Sequence, residues 1–178
     1  MRQEALACND QEKIESFLTN AQTGFLGLSD GQLPYVVPMN FIWHNGAAFF
    51  HGAGEGRKVE VMKQNPNASL VVCENFGTIA NPVPAKTDTS YMSVIISGNI
   101  EFVTDLTDAT EVMQLMLNKY VPGYYDTPLS KNHVEKYRSS LGSKTLVVKL
   151  VPQSVSAKEN PMNEGMKFYP GRSIKADL

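Results

Sequence analysis

FFHGAGEGRKVEVMKQNP, residues 49–66, reads as a strand, a glycine loop and a short helix in immediate succession. Phe49, Phe50 and His51 close an apolar run of strand character. Gly52, Gly54 and Gly56 open a loop whose backbone can take positive φ and approach a ligand closely. Val59 and Met62 then fall at helical spacing, and Asn65-Pro66 supplies a stop. The informative feature is the charge at the helix start. Arg57 and Lys58 occupy the first turn, where the helix dipole disfavours each cation by roughly 0.3–1 kcal/mol. An anion over the loop would reverse that sign, because amide hydrogens, dipole and both side chains would point at it. Either the pair holds an anion, with phosphate the natural candidate, or it is simply solvated. Two sharper motifs are excluded by counting. A dinucleotide fingerprint or a Walker loop begun at Gly52 each needs glycine at position 57, which is Arg57.

The rest of the chain sets the frame for this stretch. Its 178 residues suffice for one domain with a sizeable core. A formal net charge of -2, with no lysine-rich run, argues against a nucleic-acid partner. The start, MRQEALACNDQEK, lacks the apolar core of a signal peptide, and no run reaches the length of a membrane span. A cytoplasmic protein without membrane contact is expected. Cys8 and Cys73 are read as reduced thiols, with no metal site.

Working outward, Asn9 with Glu12 resembles a capping box for a helix over 10–20. Residues 23–28 read as a strand, Asp30-Gly31 as a turn, and 33–43 as a long strand. Pro34 and Pro38 imply that this strand is an edge or is broken, which makes Val37, Pro38, Met39 and Asn40 a candidate second wall of the site. Asn45-Gly46 favours a type I′ turn into the strand 47–51. Ala68 to Cys73 makes a fourth strand, and 75–89, with two prolines, reads as an exposed loop. Tyr91 to Val103 is the longest strand, with a bulge expected at Ser97-Gly98. Thr107 is the expected cap of a helix over 108–120, and a second helix over about 130–140 starts at Ser130. Lys144 to Val151 gives a sixth strand ended by Pro152. The residues beyond show no regular pattern and either wrap the body or are disordered. Six strands joined mostly by hairpins argue for a closed antiparallel barrel rather than a doubly wound sheet.

Four passages together resemble the pyridoxamine-phosphate-oxidase-like flavin-binding split barrels, nearest the branch of nitroimidazole-resistance reductases. They are PYVVPMNFIW at 34–43, the opening stretch at 49–66, YMSVIISGNIEF at 91–102 and TLVVKLVPQSVSAKEN at 145–160. The most specific element is Arg57-Lys58 followed at fixed distance by Asn65-Pro66. The resemblance implies a mainly β, six-stranded antiparallel split barrel with peripheral helices. It implies an FMN-binding domain over 1–151 and a carboxy-terminal extension over 152–178. It further implies a homodimer with FMN in two clefts between subunits. Arg57 and Lys58 would meet the FMN phosphate, with Gly56 in the loop beneath. His51, Gly52 and Ala53 would lie beside the ribityl chain or ring, Val37 to Asn40 along the isoalloxazine, and Ser93 would add a polar contact. The family's oxidases carry a basic residue at each end of the ring-facing strand; VVPMNFI has none, which puts oxidation of pyridoxamine phosphate in doubt.

No paired carboxylate or nucleophile triad is assignable, and only His51 is a possible catalytic side chain. The expected activity is reduction of small electron-poor acceptors such as nitro compounds or quinones, with reduced nicotinamide or another donor. Two alternatives stay open: a haem-binding or haem-degrading split barrel with His51 or His133 as axial ligand, and a non-enzymatic flavin carrier or sensor. His44 reads as solvated, Trp43 as core or interface, Tyr91 and Tyr169 as weak candidates for gating. Met39, Met62, Met113 and Met116 read most simply as core fillers.

Overall fold

Alternation decides which way each strand faces. Ala68, Leu70 and Val72 are buried, whereas Ser69, Val71 and Cys73 between them point to the other side. The same period runs through Met92, Val94 and Ile96. The computed structural model describes residues 4–140 and 142–177. They form one eight-stranded sheet: β1 (Ala7–Cys8), β2 (Thr23–Ser29), β3 (Pro34–Asn40), β4 (Ile42–His44), β5 (Ala47–Ala53), β6 (Asn67–Ile79), β7 (Asp88–Phe102) and β8 (Thr145–Asn160). Every pairing is antiparallel. The hydrogen-bonded order is β3-β2-β6-β7-β8-β5-β4, with β1 added to β8. This path has two ends, so the closed barrel expected from strand count is corrected to an unclosed, split one.

The fold is mainly β, with helices α1 (Gln11–Asn20), α2 (Arg57–Gln64), α3 (Leu106–Tyr120) and α4 (Lys131–Lys136) around the sheet. Leu26, Phe50, Leu70, Val94, Ile96 and Leu150 are fully buried inside the curl. Each such side chain stabilises by roughly 1.5–3 kcal/mol. Ile14 and Leu18 of α1, Val59 and Met62 of α2, and Val112 and Met116 of α3 complete the core.

The six expected strands are the six of seven residues or more, and several expected boundaries move for identifiable reasons. The run read as one strand over 33–43 breaks at Phe41, whose side chain is fully buried. Its N–H donates to the Tyr120 hydroxyl at 2.8 Å, and its carbonyl accepts from Lys119 Nζ at 2.9 Å. Side chains of α3 thus replace the ladder at this one residue. As expected of its prolines, β3 is an edge strand.

The expected loop over 75–89 is corrected: β6 and β7 go on pairing as far as Ile79 and Asp88, past a bulge between Asn75 and Gly77. Pro82 and Pro84 mark only the tip. The segment after β8 wraps this arm, with Phe168 N–H donating to Thr78 O and Ala80 N–H to Met166 O. Arg172 ties the segment down through the Gly165 and Lys167 carbonyls and the Asp177 carboxylate. Pro152 does not end β8, because it lies opposite the bulge at Ser97/Gly98, where the ladder is already interrupted. The strand therefore continues across the position where a carboxy-terminal extension was expected to begin.

Caps also move. Asp10, not Asn9, accepts from Lys13 N–H, and Asp105, not Thr107, accepts from the Thr107 and Asp108 amides. Carboxylates reach these amides with a full charge and win over neighbouring neutral caps. Ser130 caps α4 as expected, but that helix stops at Lys136.

Candidate functional site

β5 runs from the Asn45-Gly46 turn, where φ is 49° and 71°, and delivers His51, Gly52 and Ala53 to the rim of the curl. β8 fixes their height by register, pairing His51 with Val147, Gly52 with Leu146 and Ala53 with Thr145. The loop that follows is held by Gly54 N–H donating to Lys144 O at 2.8 Å. α2 then starts at Gly56, with φ 104° and no side-chain cap, so its first amide hydrogens are left to an outside acceptor.

Lys58 turns back over the loop. A Cβ on Gly52 would stand 3.0 Å from Lys58 Nζ, a tight contact that would move the ammonium a few tenths of an ångström off the strand. That Nζ reaches Met39 Sδ at 3.5 Å and is half-buried, and burial lowers its pKa. Arg57 is exposed, its guanidinium 5.0 Å from the centre of the Tyr35 ring. Among the described residues neither cation forms an ion pair. Asp30 is near enough to Arg57 to feel its charge but makes no ion pair with it, so two neighbouring cations beside uncapped amides keep donors free for an acceptor from outside. The donor set fits a phosphate monoester.

His51 stands beside Lys58, with Nδ1 2.8 Å from Met116 Sδ of α3. Its pKa is lowered, first by partial burial of the ring and then by the Lys58 charge. The unfolded chain therefore binds a proton that the fold refuses between the ordinary imidazole range and the lower folded value, and stability falls as pH drops through that window. An NMR titration of Lys58→Met is expected to show the His51 midpoint moved up relative to wild type. An unchanged midpoint would mean that the two groups do not interact.

One small cavity joins Met39, His51, Gly52, Ala53 and Lys58, closed below by Leu26, Phe50, Met62, Leu146 and Val148. Val37 shares the inner side of β3 with Met39 and Tyr35 and packs on the core. Of the helix-start residues Lys58 lines the cavity, whereas Gly56 and Arg57 precede it in the chain and lie outside the lining. The other expected site residues lie elsewhere in the single chain. Pro38 and Asn40 are on the opposite, exposed side of β3. Ser93 lies on the outer side of β7, cross-strand from Cys73 and Lys158. These three share an outer sheet face whose central row runs Pro38, Phe25, Val71 and Ile95 across four strands. His133 sits on α4, outside the cavity lining, and His44 pairs with Glu111 at 3.3 Å. The sequence reading missed Tyr35, Met116, Leu146 and Lys144. Alternation from Met39 back through Val37 could have found Tyr35; the others come from distant elements and carry no local signal.

An unclosed antiparallel barrel, with an Arg-Lys helix start that is unpaired among the described residues beside a glycine loop, defines a split-barrel protein. A family model described as pyridoxamine 5'-phosphate oxidase matches residues 10–159, and the chain belongs to that family. Among curated proteins none matches significantly. A solved structure of a candidate 5-nitroimidazole antibiotic resistance protein from Bacteroides thetaiotaomicron is 23% identical with TM-score 0.69, covering 86% of each chain. The flavocytochrome Anf3 from Azotobacter vinelandii is 21% identical with TM-score 0.75, covering 97% of this chain and 79% of its own. An FAD and heme binding protein from Mycobacterium smegmatis is 16% identical with TM-score 0.71, covering 96% and 79%. At these identities the likeness establishes the fold. Among the described residues no helix is long and apolar enough to cross a membrane, and no group of three or more His, Cys, Asp or Glu could hold a metal ion.

Proposed function

We propose that this chain binds FMN and serves as a flavin-dependent reductase of small electron-poor acceptors, nitro compounds or quinones among them. The observation that carries the reading is the pair Arg57 and Lys58, unpaired among the described residues, at an uncapped helix start over Gly52. Arg57 and Lys58 hold the phosphate, and the His51–Ala53 segment lies along the chain leading to the ring. Bound flavin supplies the electron transfer, so the protein's part is to position it, tune its charge and keep water away. Family membership and the flavin-binding relatives support this choice of cofactor over a free phosphate ester. A cytoplasmic location fits a reaction fed by reduced nicotinamide.

The same reading includes a homodimer. Phe25 and Ile95 are 47% and 43% exposed at the centre of a sheet face, more apolar surface than a flavin-binding monomer has reason to show water. Bringing two such faces together would bury this apolar row and set Pro38, Asn40 and Ser93 at the contact between the chains. Val71→Asp is expected to turn a dimer into a monomer by sedimentation and to weaken flavin binding at least tenfold. A wild-type monomer with flavin fully bound would sink the assembly.

The activity is tested by anaerobic reduction of the flavin-loaded protein, then stopped-flow mixing with a nitroaromatic. Reoxidation well above the buffer rate is expected; none with any acceptor would remove the reductase claim and leave a flavin carrier. A haem reading draws on His51, at the pocket rim, and on two relatives named for haem. A Soret band in the freshly purified protein, in place of flavin bands, would select it.

A further inference from the structure

Met39 stands on the inner side of β3, half-buried, with its Sδ 3.5 Å from Lys58 Nζ. Among the described residues that sulfur is the one hydrogen-bond partner of the ammonium, and a thioether is a weak acceptor. Both residues line the small cavity beside His51 and Gly52, whose volume of about 10 Å³ is close to what one water-sized oxygen occupies. The other thioethers differ. Met62, Met92, Met113 and Met116 are buried. Met162 and Met166 are half-buried like Met39, yet among the described residues only the Met39 sulfur accepts from a lysine or arginine.

We propose that Met39 is an oxidation site: hydrogen peroxide converts its thioether to a sulfoxide whose oxygen takes up Lys58 and so withdraws that cation from an incoming phosphate ester. The regulatory half rests on the anion site proposed above, and the chemical half stands on the Met39–Lys58 contact alone. The sulfur lone pair attacks one peroxide oxygen, and the O–O bond breaks with its electron pair going to the other. That second oxygen takes a proton from Lys58 Nζ and leaves as water. The sulfur-bound hydroxyl returns its proton to Nζ, so the lysine is unchanged, sulfur has lost two electrons and peroxide has gained them. The product sets an S=O oxygen, in a cavity of its own size, against a half-buried ammonium whose partner was a weak acceptor. Methionine sulfoxide reductases undo the step, so the site can be switched both ways.

The test exposes the full chain, freed of any flavin, to dilute hydrogen peroxide at neutral pH and follows each methionine by peptide mass spectrometry. Met39 is expected to oxidise at least about threefold faster than Met162 and Met166, a small share of what a positioned proton donor contributes. That preference should vanish in urea. FMN titration of the oxidised protein should show affinity about tenfold lower, the contribution of one charge-assisted hydrogen bond, and sulfoxide reductases should restore it. In Met39→Leu, a volume-conserving change, peroxide should leave the affinity where it was. An NMR titration of the Lys58 side chain reads the contact without flavin: its midpoint should rise on oxidation, because the new oxygen favours the charged form. Should the untreated protein bind no FMN, the flavin reading fails, while the oxidation rates and the Lys58 midpoint still decide the switch. Met39 oxidising no faster than Met162 and Met166, an unmoved Lys58 midpoint, or an equal loss of affinity in Met39→Leu would each overturn the proposal. The wild-type measurements stand even if the variant fails to fold.

Discussion

Arg57→Glu/Lys58→Glu is expected to purify colourless and folded, with affinity for FMN at least about 10³-fold below wild type. Hydrogen bonds to charged groups contribute roughly 1.5–3 kcal/mol each. Losing two amounts to about 3–6 kcal/mol, or two to four decades in affinity, and the new carboxylates add repulsion toward a dianion. Folding should survive for a separate reason. Neither cation has an ionic partner to abandon among the described residues, and α2 begins at both positions. Glutamate in a first helical turn is favoured by roughly 0.3–1 kcal/mol where a cation is opposed. Flavin fluorescence quenching reads the affinity and circular dichroism the fold. Binding within tenfold of wild type would remove the anion site from the account.

Gly98→Ala is expected to be the most damaging single methyl addition in the sheet, costing about 3 kcal/mol, the upper end for overpacking a filled site. A Cβ there would stand 1.9 Å from Val151 O and 3.0 Å from Pro152 Cα, both backbone atoms of β8 with no rotamer to give way. The two strands must therefore part at the bulge that lets β8 pass through Pro152. Gly27→Ala is the control, since its nearest neighbour would be Ser69 O at an ordinary 3.4 Å. Urea unfolding at fixed protein concentration should separate the two by more than about 2 kcal/mol, in a 178-residue chain whose total stability is on the order of 5–15 kcal/mol. A Gly98→Ala cost below about 1 kcal/mol would show that β7 and β8 slide apart freely.

What the sequence made legible was local. The succession at 49–66 announced its strand, loop and helix because each residue there answers to its near neighbours, and the type I′ turn at Asn45-Gly46 is set by two residues alone. The bulge at Gly98 and the edge position of β3 followed from the conformational limits of glycine and proline. Competition between parts of the chain was invisible. The caps moved because Asp10 and Asp105 outbid adjacent neutral side chains; the arm over 75–89 stayed paired because a tail nearly ninety residues later lies along it. The site divided in the same way. His51, Gly52, Ala53 and Lys58 came together from contiguous sequence, with Met39 across from them. Pro38, Asn40 and Ser93 were expected at the same ring, yet the pleat of the strands turns them to the outer face, away from the cavity.

A split barrel leaves strand margins with backbone donors and acceptors to spare, the usual template for runaway polymerisation. Pro34 and Pro38 of β3 are four residues apart, so the amide positions they lack fall on the same side. A foreign strand approaching there would find two missing donors, and the opposite margin, β4, is only three residues long. The barrel can stay open without inviting fibres.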